Sequence, residues 1–267
     1  KDVTAFAHTK ESSSIPPYPS HAVPADKYGA QSVRPAVILC PGGGYEMLST
    51  FNEGIQLAQR MERDGGYKAF ILNYRIVPNY YPLPQADLAL AIMHVRAHAA
   101  QYRIDPNRIL VVGSSAGGHL CASEAALHAS LKQEVLTRLG QACETYKGIS
   151  ARPDGIGLLY PVISFLSEYH EGSFQNLTNG DVKLREALSV ETRITSDYPA
   201  AYAFANQDDD CVPASNTTRL EKALEAAGVT HLCELYPTGG HGVGLGYDRS
   251  CAMWSERMLE FFEGVFS

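Results

Sequence analysis

The stretch VVGSSAGGHL, residues 111–120, places two adjacent serines among glycines directly after an apolar run. A strand that turns sharply into a helix can expose a serine at the turn, provided that the residues two positions before and after it are small. Around Ser115 those positions are Gly113 and Gly117, whereas around Ser114 they are a valine and an alanine. The spacing selects Ser115 as the candidate nucleophile. The alternative is a turn whose small residues only let a helix pack closely on a sheet.

Apolar runs and helical patterns alternate on both sides of this turn. Continuous apolar runs, typical of strands buried on both faces, occupy residues 36–40, 67–74, 108–113, 155–162, 200–206 and 230–237. Helical spacing is found at 52–65, 85–102, 116–130 and 215–228 and in a last helix near the C-terminus. This alternation predicts a mostly parallel central sheet covered by helices on both faces. Together with the strand–serine–helix turn, it predicts the α/β-hydrolase fold.

Individual residues indicate where several helices begin, end and face the core. Asn52 is a candidate N-cap, and Gly65 and Gly66 end the same helix. Gly228 ends the helix that begins near residue 215. The predicted core-facing side chains of the segment 85–102 are Leu88, Ile92, Val95, Ala99 and Tyr102. Those of the last helix are Trp254, Met258, Phe261, Phe262 and Val265.

We expect one domain over residues 1–267, with two segments that depart from the alternation. Residues 1–34 are rich in Ser, Pro and Tyr and are expected to form an N-terminal extension or an edge strand. Residues from about 163 to 198 interrupt the rhythm of strands and helices and are expected to form a small cap insertion.

The composition argues against two classes of partner. A net charge of −7 disfavours binding to nucleic acid or to an anionic membrane. No apolar run approaches the ~20 residues that span a bilayer, and the first residues lack the apolar stretch of a signal peptide.

The six cysteines form no C-x-x-C pair, which favours buried free thiols over a disulfide framework. We therefore expect a cytoplasmic protein, and the sequence assigns it no oligomeric state.

A serine hydroxyl needs a general base, and the base needs an acid that orients it. His241 lies in the glycine-rich segment YPTGGHGVGLG after the last predicted strand, where the backbone has the freedom to bring an imidazole over the sheet edge. His94 and His98 lie four apart on a predicted helix and are expected to face solvent. His119 follows the serine turn by one helical turn and is expected to pack beneath the site. His170 falls within the expected cap.

Three consecutive acids follow the penultimate predicted strand, in the segment ANQDDDCVPAS. Such a run is usually a solvated turn, but one of its members would be in place to accept the proton on the Nδ1 side of His241. Asp209 stands three residues before Val212 and Pro213, a spacing common in this fold. We assign the acid to Asp209 rather than to Asp208 or Asp210.

The first predicted strand ends in three glycines, in ILCPGGGY at residues 38–45. Backbone N–H groups in such a turn can stabilise a developing oxyanion without a side chain in the way. The candidate donors are Gly43, Gly44 and Ala116, the last being the residue after the nucleophile. Alone, the glycines could form a simple turn or a phosphate loop, but the P-loop and dinucleotide-binding patterns are absent.

The segments PGGGY, GSSAGGHLCAS, LLYPVISF, DDDCVP and PTGGHGVGLG, in this order, resemble the bacterial α/β-hydrolase acetylesterases, including the acetyl-xylan-esterase-like proteins. The likeness runs from about residue 35 to the C-terminus. It extends to the hormone-sensitive-lipase-type esterases, with Pro41 in place of the histidine of their HGGG motif. The resemblance implies a triad of Ser115, Asp209 and His241 and the removal of small acyl groups, often acetyl, from carbohydrates. It implies no metal and no organic cofactor.

The substrate is expected to be a carbohydrate ester or another small-molecule ester, and the alcohol part is open. Tyr45, Tyr160 and the aromatic residues of segment 163–198 could line a sugar pocket or simply pack. Three other functions remain as alternatives: a lipase for longer acyl chains, a peptidase and a binding module without catalytic activity.

Overall fold

The computed structural model describes residues 32–267, in which six strands form one sheet. All five ladders are parallel, and the strand order is β2-β1-β3-β4-β5-β6. The strands are β1 (Arg34–Cys40), β2 (Lys68–Ile71), β3 (Ile104–Ser114), β4 (Gly155–Leu159), β5 (Ala200–Asn206) and β6 (His231–Tyr236). Each predicted apolar run overlaps one of these strands, so the predicted parallel sheet is confirmed.

Helices cover both faces of the sheet. They are α1 (Gln56–Gly65), α2 (Leu83–Ala97), α3 (Ala99–Tyr102), α4 (Ala116–Leu139), α5 (Glu171–Thr178), α6 (Leu184–Leu188), α7 (Ser215–Ala227) and α8 (Trp254–Val265). Helices α2, α4 and α7 contribute to the core on one face, and α1 and α8 contribute to the core on the other. Because each central strand contributes side chains to both cores, its sequence is continuously apolar rather than alternating.

Most predicted helix features are found, with corrections at three ends. A π-helical turn, Phe51–Ile55, precedes α1, so Asn52 is not an N-cap, and its amide group instead donates to the Gly242 carbonyl at 2.9 Å. Gly66 and Gly228 end their helices at positive φ, as predicted. The segment 85–102 is two helices with a break at His98, and α4 continues to Leu139.

The predicted core-facing sides of two helices are also observed. Leu88, Ile92 and Val95 are fully buried, and so are Trp254, Met258 and Phe262. The expectation that His94 and His98 face solvent is wrong, because both rings are half-buried. His94 lies between the hydroxyl groups of Tyr102 and Tyr146, and His98 Nδ1 donates to the His94 carbonyl at 2.8 Å. Burial lowers the pKa of His94.

Residues 163–198 contain α5, α6 and a 3₁₀ turn at Val190–Thr192, between β4 and β5. The segment reaches the loop after β1, where the Asn176 amide donates to the Gly44 carbonyl at 2.9 Å. Its role as a cap stays a prediction. The predicted extension at residues 1–34 lies outside the described residues up to position 31, and Arg34 already belongs to β1. Within 32–267, no helix is long and apolar enough to cross a membrane.

His119 packs beneath the serine turn, as predicted, and is fully buried. Its Nε2 donates to the Leu188 carbonyl at 2.8 Å, which leaves Nδ1 to accept from the Tyr45 hydroxyl at 2.8 Å. The ring is therefore neutral, and burial lowers its pKa from 6.5 to about 4.

Replacing His119 with glutamine should destabilise the protein least in acid. Between pH 6.5 and about 4 the unfolded chain binds a proton at His119 that the folded chain does not bind. Wild-type stability therefore falls as the pH drops through this window, by up to roughly 3 kcal/mol from this residue. Urea unfolding measures the free energy of unfolding of both proteins. The difference between wild type and variant should be largest above pH 6.5 and should become smaller toward pH 4. A difference that stays constant over this pH range would contradict the lowered pKa of His119.

Candidate active site

Five loops that follow five different strands meet at the carboxyl edge of the sheet. PGGGY follows β1, Ser115 follows β3, Tyr160 follows β4, the three acids follow β5 and the histidine loop follows β6. Open parallel sheets generally bind ligands at this edge. The strand ends are in register, with Cys40 beside Gly113 and Asn206 beside Tyr236, so the loops start at the same level.

Ser115 occupies a strained position between β3 and α4. Its backbone has φ 53° and ψ −119°, a combination that residues other than glycine rarely adopt. A Cβ atom at Gly117 would lie 2.0 Å from the Cys40 carbonyl oxygen, and one at Gly113 would lie 2.1 Å from the Gly117 carbonyl oxygen. Only glycine fits at either position. This crowding is the physical reason for the small residues on both sides of the serine.

Ser115, His241 and Asp209 form a continuous hydrogen-bonded line. The Ser115 Oγ lies 2.8 Å from His241 Nε2, and His241 Nδ1 lies 2.7 Å from Asp209 Oδ2. The Asp209 side chain is completely buried, whereas the imidazole is 17% exposed. With Nδ1–H donated to the carboxylate, Nε2 is free to accept the serine proton.

Each acid of the DDD run has a different environment. The Oδ1 atom of Asp209 accepts hydrogen bonds from the N–H groups of Cys211 and Val212, both at 2.9 Å, which leaves Oδ2 for His241. Asp208 instead accepts from the N–H groups of Gly239 and Gly240 at 2.8 Å and so holds the loop that leads to the histidine. Asp210 is exposed.

The glycine loop after β1 passes beside the nucleophile. A Cβ atom at Gly42 would lie 3.0 Å from the Ser115 Cβ. The Gly42 N–H is already used, because it donates to Glu53 at 2.8 Å. Between residues of the described range, no hydrogen bond uses the N–H groups of Gly43, Gly44 or Ala116. The role of these three amides as oxyanion donors stays a prediction.

The two tyrosines predicted to contact substrate lie in the protein interior. Tyr45 and Tyr160 are both 0% exposed. The Tyr45 hydroxyl bonds to His119, and the Tyr160 hydroxyl donates to Glu53 at 2.7 Å while accepting from the Gly244 N–H at 3.0 Å. Burial and these contacts argue against the predicted substrate role. Both rings instead support the surrounding loops.

His170, which sequence reasoning placed only in the cap, lies at the site. Its Cε1 would be 3.7 Å from a Cβ atom on Gly44. The ring caps α5, since Nδ1 accepts from the Ser173 N–H at 3.1 Å. Its pKa is lowered by burial and by the neighbouring charge of His241. No motif marks this histidine in the sequence, because its position depends on how the segment between β4 and β5 folds back.

Residues that could hold a metal ion lie elsewhere. Glu221 and Glu225 on α7 and His231 on β6 offer ligand atoms within 4.8 Å of one another. They are near the amino end of β6, at the opposite edge of the sheet from Ser115. Across residues 32–267 no other such group is found.

Comparisons with known proteins show what this chain is similar to. The profile of the BD-FAE family matches residues 25–224. The chain is 30% identical to an acetylxylan esterase of Xylanibacter ruminicola, over 79% of this chain and 41% of that protein. It is 29% identical to the endo-1,4-beta-xylanase B of Butyrivibrio fibrisolvens, over 83% of this chain and 34% of that protein. It therefore spans about two-fifths or less of these two relatives.

A solved structure covers more of the chain. The acetyl ester-xyloside bifunctional hydrolase from Caldicellulosiruptor lactoaceticus superposes with a TM-score of 0.77 at 32% identity. The alignment covers 89% of this chain and 85% of that one.

Proposed function

This chain belongs to the BD-FAE family of acetyl-xylan-esterase-like α/β-hydrolases, and we propose that it removes short acyl groups, above all acetyl, from a carbohydrate or another small-molecule ester. The line of hydrogen bonds from Asp209 through His241 to Ser115 is the observation that carries the proposal. The glycine loop beside it has N–H groups at Gly43 and Gly44 without a partner among residues 32–267, which supports an oxyanion site next to the nucleophile.

The reaction we propose proceeds through an acyl-enzyme. His241 Nε2 takes the proton of Ser115, and the Ser115 Oγ attacks the ester carbonyl carbon. The N–H groups of Gly43, Gly44 and Ala116 hold the resulting oxyanion. When the tetrahedral intermediate collapses, the bond to the alcohol breaks and His241 returns the proton to the departing oxygen. A water molecule, activated by the same imidazole, then attacks the acyl carbon and releases the acid.

The choice of a short acyl group on a polar alcohol rests on two observations. The relatives at about 30% identity are named for acetyl esters and xylan. His170 also supplies a polar group beside the glycine loop: since its Nδ1 accepts from Ser173, the neutral ring carries its proton on Nε2. That N–H can donate to a substrate hydroxyl or carbonyl.

Partners and location are part of the same proposal. A net charge of −7 supports a small ester substrate rather than nucleic acid or an anionic membrane. All six cysteines are free, which supports the cytoplasmic location expected from the sequence.

A series of esters tests the proposed function. We expect kcat/KM for nitrophenyl acetate to exceed that for the octanoate by roughly tenfold or more, on the scale at which pockets reject added methylenes. Acetate should be released from acetylated xylan or from small acetylated sugars, with no cleavage of an aminopeptidase substrate or of a nitrophenyl xyloside. Preference for octanoate would favour a lipase, and cleavage of the peptide substrate would favour a peptidase. No hydrolysis of any ester, together with no fluorophosphonate labelling of Ser115, would favour a binding module.

A further inference from the structure

The π-helical turn at Phe51–Ile55 contacts two loops of the candidate site. π-Helical turns are rare and are often found at functional sites. Two consecutive residues of this turn, Asn52 and Glu53, direct their side chains to different loops. The proposed reaction does not use either side chain directly.

Glu53 holds the glycine loop by its backbone. Its carboxylate is nearly inaccessible, since the residue is 5% exposed. Its Oε2 accepts from the Gly42 N–H at 2.8 Å. Because Gly42 directly precedes Gly43, this bond orients the peptide that leads into the proposed oxyanion donors. Burial raises the pKa of Glu53, while hydrogen bonds from Tyr160 and Gly42 oppose that shift.

The same side chain reaches the histidine loop through Tyr160. Glu53 Oε1 accepts from the Tyr160 hydroxyl at 2.7 Å, and the Tyr160 oxygen accepts from the Gly244 N–H at 3.0 Å. The Tyr160 ring lies edge-on to His241, with centroids 5.0 Å apart. Asn52 adds a second connection, because its amide donates to the Gly242 carbonyl. Gly242 and Gly244 both lie within three residues after His241.

We propose that Glu53 is a positioning residue that, through Gly42 and Tyr160, holds the oxyanion loop and the histidine loop in one fixed relative geometry. The inference rests on the proposed function. It gives Tyr160 a positioning role in place of substrate contact. A displacement of about 1 Å at a reacting centre can cost on the order of 10²-fold in rate, so a buried carboxylate that fixes two loops can affect turnover without touching the ester.

The Glu53→Gln substitution separates positioning from simple filling of the core. Glutamine has the same shape, and its oxygen can still accept from Gly42. Its NH₂ group cannot accept the Tyr160 proton and can only donate to the Tyr160 oxygen, so the buried hydroxyl proton loses its acceptor and the bridge to the histidine loop is weakened. We expect kcat for nitrophenyl acetate to fall roughly 10- to 100-fold with KM little changed, and fluorophosphonate labelling of Ser115 to slow by a similar factor.

Tyr160→Phe tests the same bridge from its other end, since it keeps the ring beside His241 and removes the hydroxyl. If the two residues act as one unit, the double variant should be no slower than the slower single variant. The exposed Glu46→Gln, in the same loop, is the matched control and should keep wild-type kinetics. Thermal unfolding of every variant shows whether it folds. If Glu53→Gln does not fold, Tyr160→Phe alone carries the test.

Each outcome bears on one conclusion. Wild-type hydrolysis with unchanged kcat in folded Glu53→Gln would overturn the positioning role and leave the proposed function standing. Losses that multiply in the double variant would also overturn it, because independent effects would mean that no shared connection exists. A rise in KM with unchanged kcat would assign these residues to binding instead. A wild-type protein without esterase activity would overturn the proposed function, and this inference with it.

Discussion

Replacing Ser115 with alanine is expected to abolish ester hydrolysis, with kcat falling by about 10⁶-fold, the scale of loss when the nucleophile of a hydrogen-bonded triad is removed. The hydroxyl that bonds to His241 at 2.8 Å is the proposed attacking group, and alanine removes it. Alanine keeps the Cβ atom and the same strained backbone, so the fold should stay intact.

Hydrolysis of nitrophenyl acetate and labelling by a fluorophosphonate both measure this loss. The Ser115→Ala variant should take up no phosphonyl mass, whereas Ser114→Ala should still be labelled, because Ser115 remains available. Undiminished hydrolysis by a folded Ser115→Ala protein would assign the chemistry to another residue. Circular dichroism and thermal unfolding establish that the variant is folded.

Replacing Asp209 with asparagine should lower kcat by about 10⁴-fold, the cost of holding the base in the wrong tautomer. The N–H groups of Cys211 and Val212 need an oxygen acceptor, so the single side-chain oxygen of asparagine would take the place of Oδ1. The NH₂ group would then face His241 Nδ1 and donate to it. The ring proton would move to Nε2, which could no longer accept the proton of Ser115.

The neighbouring acids supply matched controls for this substitution. Asp210→Asn changes an exposed side chain and should leave kcat/KM as in the wild type. Asp208→Asn weakens the bonds to Gly239 and Gly240 and should cause a smaller loss than Asp209→Asn. Steady-state kinetics should rank the three variants by their loss of kcat, with Asp209→Asn the slowest. A wild-type rate in Asp209→Asn, with the large loss at Asp208 or Asp210, would show that the acid is a different member of the run.

Local sequence determined the sheet and the serine turn. Strands covered on both faces must be apolar throughout, which is why runs such as residues 36–40 and 200–206 predicted strands that the structure contains. The spacing of Gly113 and Gly117 around Ser115 was readable because the constraint is steric and acts within a few residues. The helix start at Asn52 was wrong because a π-helical turn satisfies that backbone and sends the side chain to another loop.

Only the tertiary structure decided which polar groups touch. The contact between Ser115 and His241 joins residues 126 positions apart, and the contact between Glu53 and Tyr160 joins residues 107 apart. Sequence order allowed the first contact to be expected, since carboxyl ends of parallel strands share an edge, while the catalytic roles stay predictions. Sequence order did not predict the contact between Glu53 and Tyr160, the position of His170 beside Gly44 or the burial of Tyr45. Periodicity and turn chemistry report neighbours along the chain, whereas these contacts depend on how loops from separate strands pack over the sheet.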